Sequence, residues 1–209
     1  MDDLQWLATG LHALAPSCGP VRLVSVDGHA GSGKSTFAAR LAAALGTESE
    51  PAPVLHLDDL ASHAEPFAWT DRMLAEVIAP LSEGRAAHYA PYDWDAHRFT
   101  APRRLPLAPV VLIEGVGAGR RALRPRLAGL FWMDRDASSS WQRGRQRDGE
   151  ALTEFWDGWT TAETQHFSAD PSRPYAQALV QERPEGYAVL PGPDIPSELN
   201  RFITLSNRT

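Results

Sequence analysis

Apolar residues along the chain form short continuous runs that are separated by longer stretches of mixed polarity. Continuous rather than alternating runs are typical of parallel strands that are covered on both faces. The runs that we interpret as strands are 21–26, 53–57, 110–113 and 130–133. The segments that we interpret as helices are 3–14, 34–45, 71–81, 138–148 and 150–166. This alternation predicts an α/β fold with a doubly wound, mostly parallel sheet of about five strands flanked by helices.

The last strand of this sheet has two candidates, 176–180 and 187–190, and the pattern does not choose between them. Residues 86–105 carry little helical signal and are expected to form a small excursion over the sheet edge. We expect a single domain over 1–209. Within it, we expect an excursion at 60–105 and a lid at 138–170.

Composition and charge exclude several classes of protein. The net charge is −6, which does not support a broad nucleic-acid or polybasic membrane surface. The single cysteine, Cys18, excludes an intramolecular disulfide and a cysteine-based metal cluster. No apolar run approaches the ~18 residues of a membrane span. We therefore expect a cytoplasmic protein with neither nucleic acid nor membrane as a partner, and leave a homodimer open.

A phosphate-binding motif lies between the first strand and the helix that follows it. Residues 28–35 read Gly-His-Ala-Gly-Ser-Gly-Lys-Ser and fit G-x-x-x-x-G-K-[ST], the Walker A or P-loop pattern, at each fixed position. Glycines let backbone N–H groups approach phosphate oxygens, and the helix N-terminus favours an anion. Lys34 would reach the β- and γ-phosphates, and Ser35 would ligate Mg²⁺. The expected nucleotide contacts are Gly28, Ala30, Gly31, Ser32, Gly33, Lys34, Ser35 and Thr36.

Carboxylates follow two other predicted strands. Asp58 comes directly after 53–57, and Glu114 comes directly after 110–113. Ligands of open α/β sheets bind beyond the carboxyl ends of the strands, so both groups are expected to face the phosphates. One would hold Mg²⁺ or its waters together with Ser35, and the other would accept a proton from an attacking hydroxyl. The alternative for Asp58 is a structural role as a helix N-cap.

Three arginines lie two residues apart in 143–147. Arg143 and Arg147 are four residues apart and share a helix face, whereas Arg145 points elsewhere. Beside a P-loop, such a pair can close over transferring phosphates and stabilise developing charge. The alternative is a solvated face that pairs with Asp148 and Glu150.

Taken in order, these motifs resemble the uridine kinase and phosphoribulokinase branch of P-loop kinases. The resemblance covers most of 21–180 and also includes Pro91-Tyr92-Asp93-Trp94, His97, Met133-Asp134-Arg135-Asp136 and 171–176. It implies a phosphotransferase that uses ATP and Mg²⁺ and acts on a hydroxyl of a small-molecule acceptor. It further implies that Asp58 is the general base and that Tyr92, Trp94 and His97 hold a nucleoside.

The chain departs from this family where a Phe-Asp segment binds the ribose hydroxyls, because here the residues are Phe67-Ala68-Trp69. A nucleoside is therefore the first candidate acceptor and not the only one. The alternatives are another small molecule, such as a sugar, an antibiotic or a cofactor precursor, and a regulatory nucleotide-binding ATPase without kinase activity.

The basic residues are unevenly divided between the two types. Of 20 lysines and arginines in the chain, the only lysine is Lys34. Compositional bias explains the excess of arginine but does not explain why the exception falls at the P-loop position. A compact ammonium and a planar guanidinium are not interchangeable at such a site.

We predict that Lys34→Arg, ordinarily a mild change, abolishes most nucleotide-dependent activity, because the larger guanidinium does not fit between the phosphates. A lysine-modifying reagent should label one side chain, and ATP should block that labelling. Peptide mass spectrometry with and without ATP measures both results. Labelling of Lys34 that ATP does not change would contradict the assignment.

Overall fold

The computed structural model describes residues 4–47 and 49–194, together with Leu199 and Ile203. Its strands in this part of the chain are β1 (Arg22–Asp27), β2 (Val54–His56), β3 (Ala87–Tyr89), β4 (Tyr92–Asp93), β5 (Arg98–Phe99), β6 (Arg103–Leu105), β7 (Val110–Glu114), β8 (Gly129–Met133), β9 (Ala178–Arg183) and β10 (Gly186–Pro191). Its α-helices in this part of the chain are α1 (Gln5–Ala13), α2 (Lys34–Leu45), α3 (Thr70–Arg72), α4 (Ala79–Ser82), α5 (Ala137–Asp148) and α6 (Thr153–Ala169). A π-helical segment, Met73–Ile78, joins α3 to α4 without a break.

The central sheet has six strands in the order β10-β9-β8-β1-β7-β2. All neighbouring pairs are parallel except β9 with β10, which is antiparallel. The prediction of a doubly wound, mostly parallel sheet is confirmed. The two candidates for the last strand both belong to the sheet, because a turn before Gly186 folds the second back along the first.

The continuous apolar runs are explained by two hydrophobic layers, one on each face of the sheet. In β7, Leu112 packs in the cluster that contains α1 and α2, whereas Val111 and Ile113 pack with the helical stretch 70–82 on the opposite face. All five residues of β7 are buried. A strand covered on both sides gains from apolar residues at every position.

The segment 60–105, predicted as an excursion, contains the helical stretch 70–82 and two small antiparallel sheets. One pairs β3 with β6, and the other pairs β4 with β5. The indole N–H of Trp94, which follows β4, donates to the backbone oxygen of Asp58 at 3.2 Å. This contact places the small β4–β5 sheet beside the carboxyl end of β2.

Helices α5 and α6, within the predicted lid at 138–170, lie against the P-loop and against each other. A Cβ atom added at Gly31 would overlap the backbone oxygen of Ser140 on α5. A Cβ atom added at Gly144 on α5 would overlap the Trp156 ring on α6. Two glycines therefore permit the close approach of the P-loop, α5 and α6.

We predict that Gly144→Ala destabilises the protein by about 1–3 kcal/mol, because the new methyl group must displace the Trp156 ring from a packed position. The matched control is Gly158→Ala in α6, where a Cβ atom meets nothing within 4 Å. That change should be neutral or stabilising by up to about 1 kcal/mol. Urea unfolding measures both variants, and equal stability of the two would contradict the packing described.

Candidate active site

A cavity of about 360 Å³ lies above the P-loop (residues 28–35), at the carboxyl ends of the parallel strands. We call it the P-loop cavity. It brings together the residues that the sequence analysis proposed for catalysis and for metal binding, which are Lys34, Ser35, Asp58, Glu114, Arg143 and Arg147. The carboxyl ends of parallel strands share one edge of the sheet, which is why residues so distant in sequence meet here.

Most of the expected nucleotide contacts line this cavity. They are Ala30, Gly31, Gly33, Lys34, Ser35 and Thr36. Gly31 and Gly33 have φ angles of +82° and +97°, a conformation that glycine adopts without strain. The structure does not bring Gly28 and Ser32 into the lining, because both are buried behind the loop.

Lys34 is only 8% exposed, and its ammonium donates to the backbone oxygen of His29 at 2.9 Å. The side chain therefore lies folded along the loop, with its charge at the cavity wall. Coulombic attraction from this ammonium also reaches Asp58 and the buried Glu163.

Glu114 is 4% exposed and accepts two hydrogen bonds on the same carboxylate oxygen, Oε1. The Ser35 hydroxyl donates at 3.0 Å, and His56 Nδ1 lies at 2.5 Å. The hydrogen bond to Glu114 raises the pKa of His56 above its ordinary value, against the opposing effect of burial. Glu114 therefore connects the start of α2 to the end of β2.

The oxygen donors in this corner fit a magnesium ion. Ser35, Glu114 and Asp58 supply a hydroxyl and two carboxylates, the hard ligands that Mg²⁺ prefers. In the described part of the chain, no group of three or more His, Cys, Asp or Glu side chains could hold a metal alone. An ion at this place would take its other ligands from phosphates and water, as is usual for Mg²⁺ in phosphoryl-transfer sites.

Asp58 lies in a short 3₁₀ turn, Leu57–Asp59, directly after β2. It does not cap a helix, so the alternative structural role suggested by the sequence is wrong. Asp58 is exposed at the surface of the open cavity. The protein atoms around the cavity reduce the solvation of its carboxylate, and this effect and the negative charge of Glu114 raise the pKa of Asp58, whereas the ammonium of Lys34 acts in the opposite direction.

The three arginines of α5 have different surroundings. Arg143 and Arg147 line the P-loop cavity, as their shared helix face predicts. Arg143 pairs with Glu182 at 2.5 Å, and Arg147 pairs with Asp148 at 2.6 Å. Arg145 points towards α6 and pairs with Asp157. Exposed ion pairs of this kind contribute only about 0–1 kcal/mol, so a phosphate could replace either carboxylate partner of the two cavity arginines.

A second cavity of about 190 Å³ adjoins the first, and we call it the aromatic cavity. The two cavities share Ala30, Asp58, Arg147 and Trp159. The remaining lining of the aromatic cavity is Trp94, Asp148, Phe155 and Trp156. We refer to Trp94, Phe155, Trp156 and Trp159 as the aromatic wall. Asp58 thus stands at the junction of the P-loop cavity and the aromatic cavity.

Of the three residues expected to hold the acceptor, the structure places only Trp94 in a cavity lining. Tyr92 and His97 lie behind it, on either side of His63. The Tyr92 hydroxyl is 3.1 Å from His63 Nδ1, and the His97 ring stacks on the His63 ring at 3.9 Å between centroids. The His63 ring in turn contacts Trp94 at 4.8 Å. Tyr92 and His97 therefore support the aromatic wall rather than form it.

The sequence analysis missed the three aromatic residues that α6 contributes to the wall. Phe155, Trp156 and Trp159 occur within a segment that was interpreted only as a helix. Their helical spacing puts Phe155 and Trp159 on one face, and Trp156 packs over Gly144. A concentration of aromatic residues beside the arginine helix is the signal that could have found them.

A further missed residue is Asp27, which ends β1 directly before the P-loop. Its carboxylate is fully buried and accepts hydrogen bonds from the backbone N–H groups of Gly28 at 2.7 Å, Gly117 at 2.9 Å and Gly119 at 2.8 Å. Asp27 therefore ties the start of the P-loop to the loop that follows β7 and Glu114.

Comparisons with known proteins find similarity in structure rather than in sequence. A structure from Bacillus stearothermophilus, described as a "possible uridine kinase", superposes with a TM-score of 0.63 at 18% identity and covers 84% of this chain and 96% of its own. A structure from Silicibacter sp. TM1040, described as a "putative fructose transport system kinase", gives a TM-score of 0.50 at 24% identity over 78% of this chain and 88% of its own. No protein-family model and no curated protein matches the chain.

These similarities confirm the P-loop kinase fold that the sequence motifs predicted. The first of the two is described as a possible uridine kinase, and the motifs of this chain resemble that branch of P-loop kinases. Among the described residues, no helix is both long and apolar enough to span a membrane.

We predict that Asp27→Asn destabilises the protein by about 1–3 kcal/mol, because an amide NH₂ would face backbone N–H groups that need an acceptor. The matched control is Asp157→Asn, at an exposed ion pair with Arg145, where a change of at most about 1 kcal/mol is expected. Urea unfolding compares the two variants. If Asp27→Asn is no less stable than the control, Asp27 does not hold the P-loop as described.

Proposed function

We propose that this chain is a kinase that transfers the γ-phosphate of ATP to a hydroxyl of a small acceptor, with a nucleoside as the first candidate. The observation that carries the proposal is the position of Asp58. It faces both the P-loop cavity, which would hold the donor phosphates, and the aromatic cavity, which would hold the acceptor. A group at that junction can hold the attacking hydroxyl against the phosphate to be transferred.

The proposed binding of ATP is supported by the P-loop and the residues next to it. Backbone N–H groups and the N-terminus of α2 would hold the phosphates, and Lys34 would add a positive charge. Ser35 and Glu114, with Asp58 nearby, would hold Mg²⁺, which when bound neutralises charge on the phosphates. The apposition of the Ser35 hydroxyl and the Glu114 carboxylate at 3.0 Å supports this role.

In the proposed reaction, Asp58 is the general base that accepts the proton of the acceptor hydroxyl. The raised pKa of Asp58 makes its carboxylate a stronger base than an ordinary aspartate, and the ammonium of Lys34 favours its ionised form. Arg143 and Arg147 would leave their carboxylate partners and contact the transferring phosphate. Positioning and stabilisation of charge account for most of the catalysis in this type of reaction.

The aromatic wall favours an acceptor with a flat or apolar body. Aromatic side chains offer large stacking surfaces with little conformational entropy to lose. The polar residues of the aromatic cavity are Asp58, Arg147 and Asp148, and Asp148 already accepts hydrogen bonds from Arg147 and from the Trp156 indole. A polyol would find few free partners there. A nucleoside base therefore fits better than a simple sugar, although Ala68 supplies no carboxylate for ribose.

The same cavity favours a kinase over a regulatory ATPase. A protein that only binds or hydrolyses ATP needs no second compartment that opens onto the same carboxylate. The presence of the aromatic cavity beside Asp58 supports transfer to an organic acceptor.

A coupled assay of ADP release tests the proposal across nucleosides, sugars and pantothenate-like alcohols. We expect turnover that depends on one acceptor class and on Mg²⁺, with nucleosides tested first. Tight binding of ATP without stimulation by any of these acceptors would contradict kinase activity and would favour the regulatory ATPase.

We predict that Asp58→Asn lowers acceptor-stimulated turnover by about 10²–10⁴-fold, because the amide cannot accept the proton. Nucleotide affinity should change little, since Lys34 and the P-loop amides are intact. The matched control is Asp59→Asn: Asp59 accepts from the Tyr89 hydroxyl and from Arg103 outside the P-loop cavity, and its replacement should preserve turnover. Calorimetric titration with an ATP analogue and the coupled assay separate binding from chemistry. Equal turnover of the two variants would exclude Asp58 as the base.

A further inference from the structure

Helix α6 carries a fully buried carboxylate that the proposed chemistry does not use. Glu163 has no exposed surface, and four donors surround its two oxygens. Oε1 lies 2.7 Å from His29 Nδ1 and 2.9 Å from the indole nitrogen of Trp141. Oε2 lies 3.1 Å from the backbone nitrogen of Ala30 and 3.0 Å from the indole nitrogen of Trp159.

This arrangement uses the full hydrogen-bonding capacity of the Glu163 carboxylate. A carboxylate has about four acceptor positions, and each of them here faces a donor. Burial alone would raise the pKa of Glu163, but hydrogen bonds from His29, Trp141 and Ala30, with the charge of Lys34, outweigh it and lower the pKa. Glu163 is therefore ionised in the folded protein, and its negative charge is balanced chiefly by oriented hydrogen bonds.

The four donors belong to three separate parts of the site. His29 and Ala30 are in the P-loop, Trp141 is on α5 with the two cavity arginines, and Trp159 belongs to the aromatic wall. The oxygen Oε2 accepts hydrogen bonds from Ala30 in the P-loop and from Trp159 in the aromatic wall. The oxygen Oε1 lies within hydrogen-bond distance of His29 in the P-loop and of Trp141 on α5. A shift of any one donor leaves an acceptor position unpaired in a buried place, which is costly.

We propose that Glu163 is a positioning residue that fixes the curvature of the P-loop and links nucleotide binding to the aromatic wall and to α5. Phosphates that draw the P-loop amides inward move the Ala30 N–H and the His29 ring, and the shared carboxylate transmits that change to Trp159 and Trp141. By reciprocity, an acceptor that moves Trp159 alters the affinity of the P-loop for the donor. Both parts rest on the proposed function: the effect of the nucleotide on Trp159 and Trp141 requires that the P-loop binds ATP, and the reciprocal effect also requires an acceptor at the aromatic wall.

The experiment uses the indole N–H signals of the full-length protein labelled with ¹⁵N-tryptophan, titrated with a non-hydrolysable ATP analogue and Mg²⁺. The chain has seven tryptophans, and single Trp→Phe variants assign their signals. Trp69 is the internal control. It is buried, it packs against the Arg120 guanidinium at 3.5 Å from the ring centroid, and it lines neither cavity.

We expect saturating analogue to shift the signals of Trp159 and Trp141 more than that of Trp69. In Glu163→Gln, the amide can accept on one oxygen only, so analogue binding should weaken about tenfold, the loss expected for about one hydrogen bond. The shifts of Trp159 and Trp141 should fall to the level of the Trp69 shift. A group with a merely structural role would lower the melting temperature but would leave these shifts intact.

A second variant keeps the proposal testable if Glu163→Gln does not fold. Trp141→Phe retains a ring on α5 and removes only its donor to Oε1, so analogue binding should weaken by a few-fold while the Trp159 response persists. Undiminished shifts in Glu163→Gln, or no response of Trp159 and Trp141 when the analogue binds, would overturn the positioning role and leave the proposed kinase activity untouched. Failure of the analogue to bind the unmodified protein would instead overturn the proposed function and, with it, the nucleotide link assigned to Glu163.

Discussion

The P-loop must keep its backbone N–H groups directed into a cavity, and this requirement determines much of the structure around it. A loop in that conformation gains little from its own hydrogen bonds, so it needs support from behind. Two fully buried carboxylates provide that support, Asp27 at the start of the loop and Glu163 at its middle. A buried carboxylate is tolerated only when it is well hydrogen-bonded, and both are. Their other donors lie in the loop after β7, in α5 and in α6.

The same elements define the two cavities and the charge between them. The loop after β7 follows Glu114, the last residue of that strand, α5 supplies Arg143 and Arg147, and α6 supplies most of the aromatic wall. The carboxylates of Asp58 and Glu114 share the P-loop cavity with one lysine and two arginines. Reduced solvation and the charge of Glu114 raise the pKa of Asp58, and the charge of Lys34 opposes that rise.

Much of this organisation could be predicted from local sequence. The strands were visible as apolar runs because the sheet is covered on both faces, and the P-loop was visible because its chemistry requires glycines, Lys34 and Ser35 at fixed spacing. Asp58 and Glu114 were found because the carboxyl ends of parallel strands meet at one edge. What local pattern could not show was contact across the chain. Glu163 meets His29 from 134 residues away, and its helix looked like any other amphipathic segment.

The positions of Tyr92 and His97 also depend on a contact with a residue distant in sequence. His63 lies between these two side chains, and neither of them lines the P-loop cavity or the aromatic cavity. The two strand candidates 176–180 and 187–190 both belong to the sheet, because a turn before Gly186 pairs the second with the first. The positions of side chains beyond the strand ends depend on contacts between residues that are far apart in sequence, and motif spacing does not reveal such contacts.

A crystal structure with Mg²⁺ and a non-hydrolysable ATP analogue tests the central claim most directly, because the claim is that Asp58 separates a donor cavity from an acceptor cavity. The account predicts a triphosphate along the P-loop with its γ-phosphate between Lys34 and Asp58, facing the aromatic wall. It also predicts that Arg143 or Arg147 turns from its carboxylate partner to that phosphate. A γ-phosphate directed away from Asp58, or a nucleotide bound outside the P-loop, would contradict it.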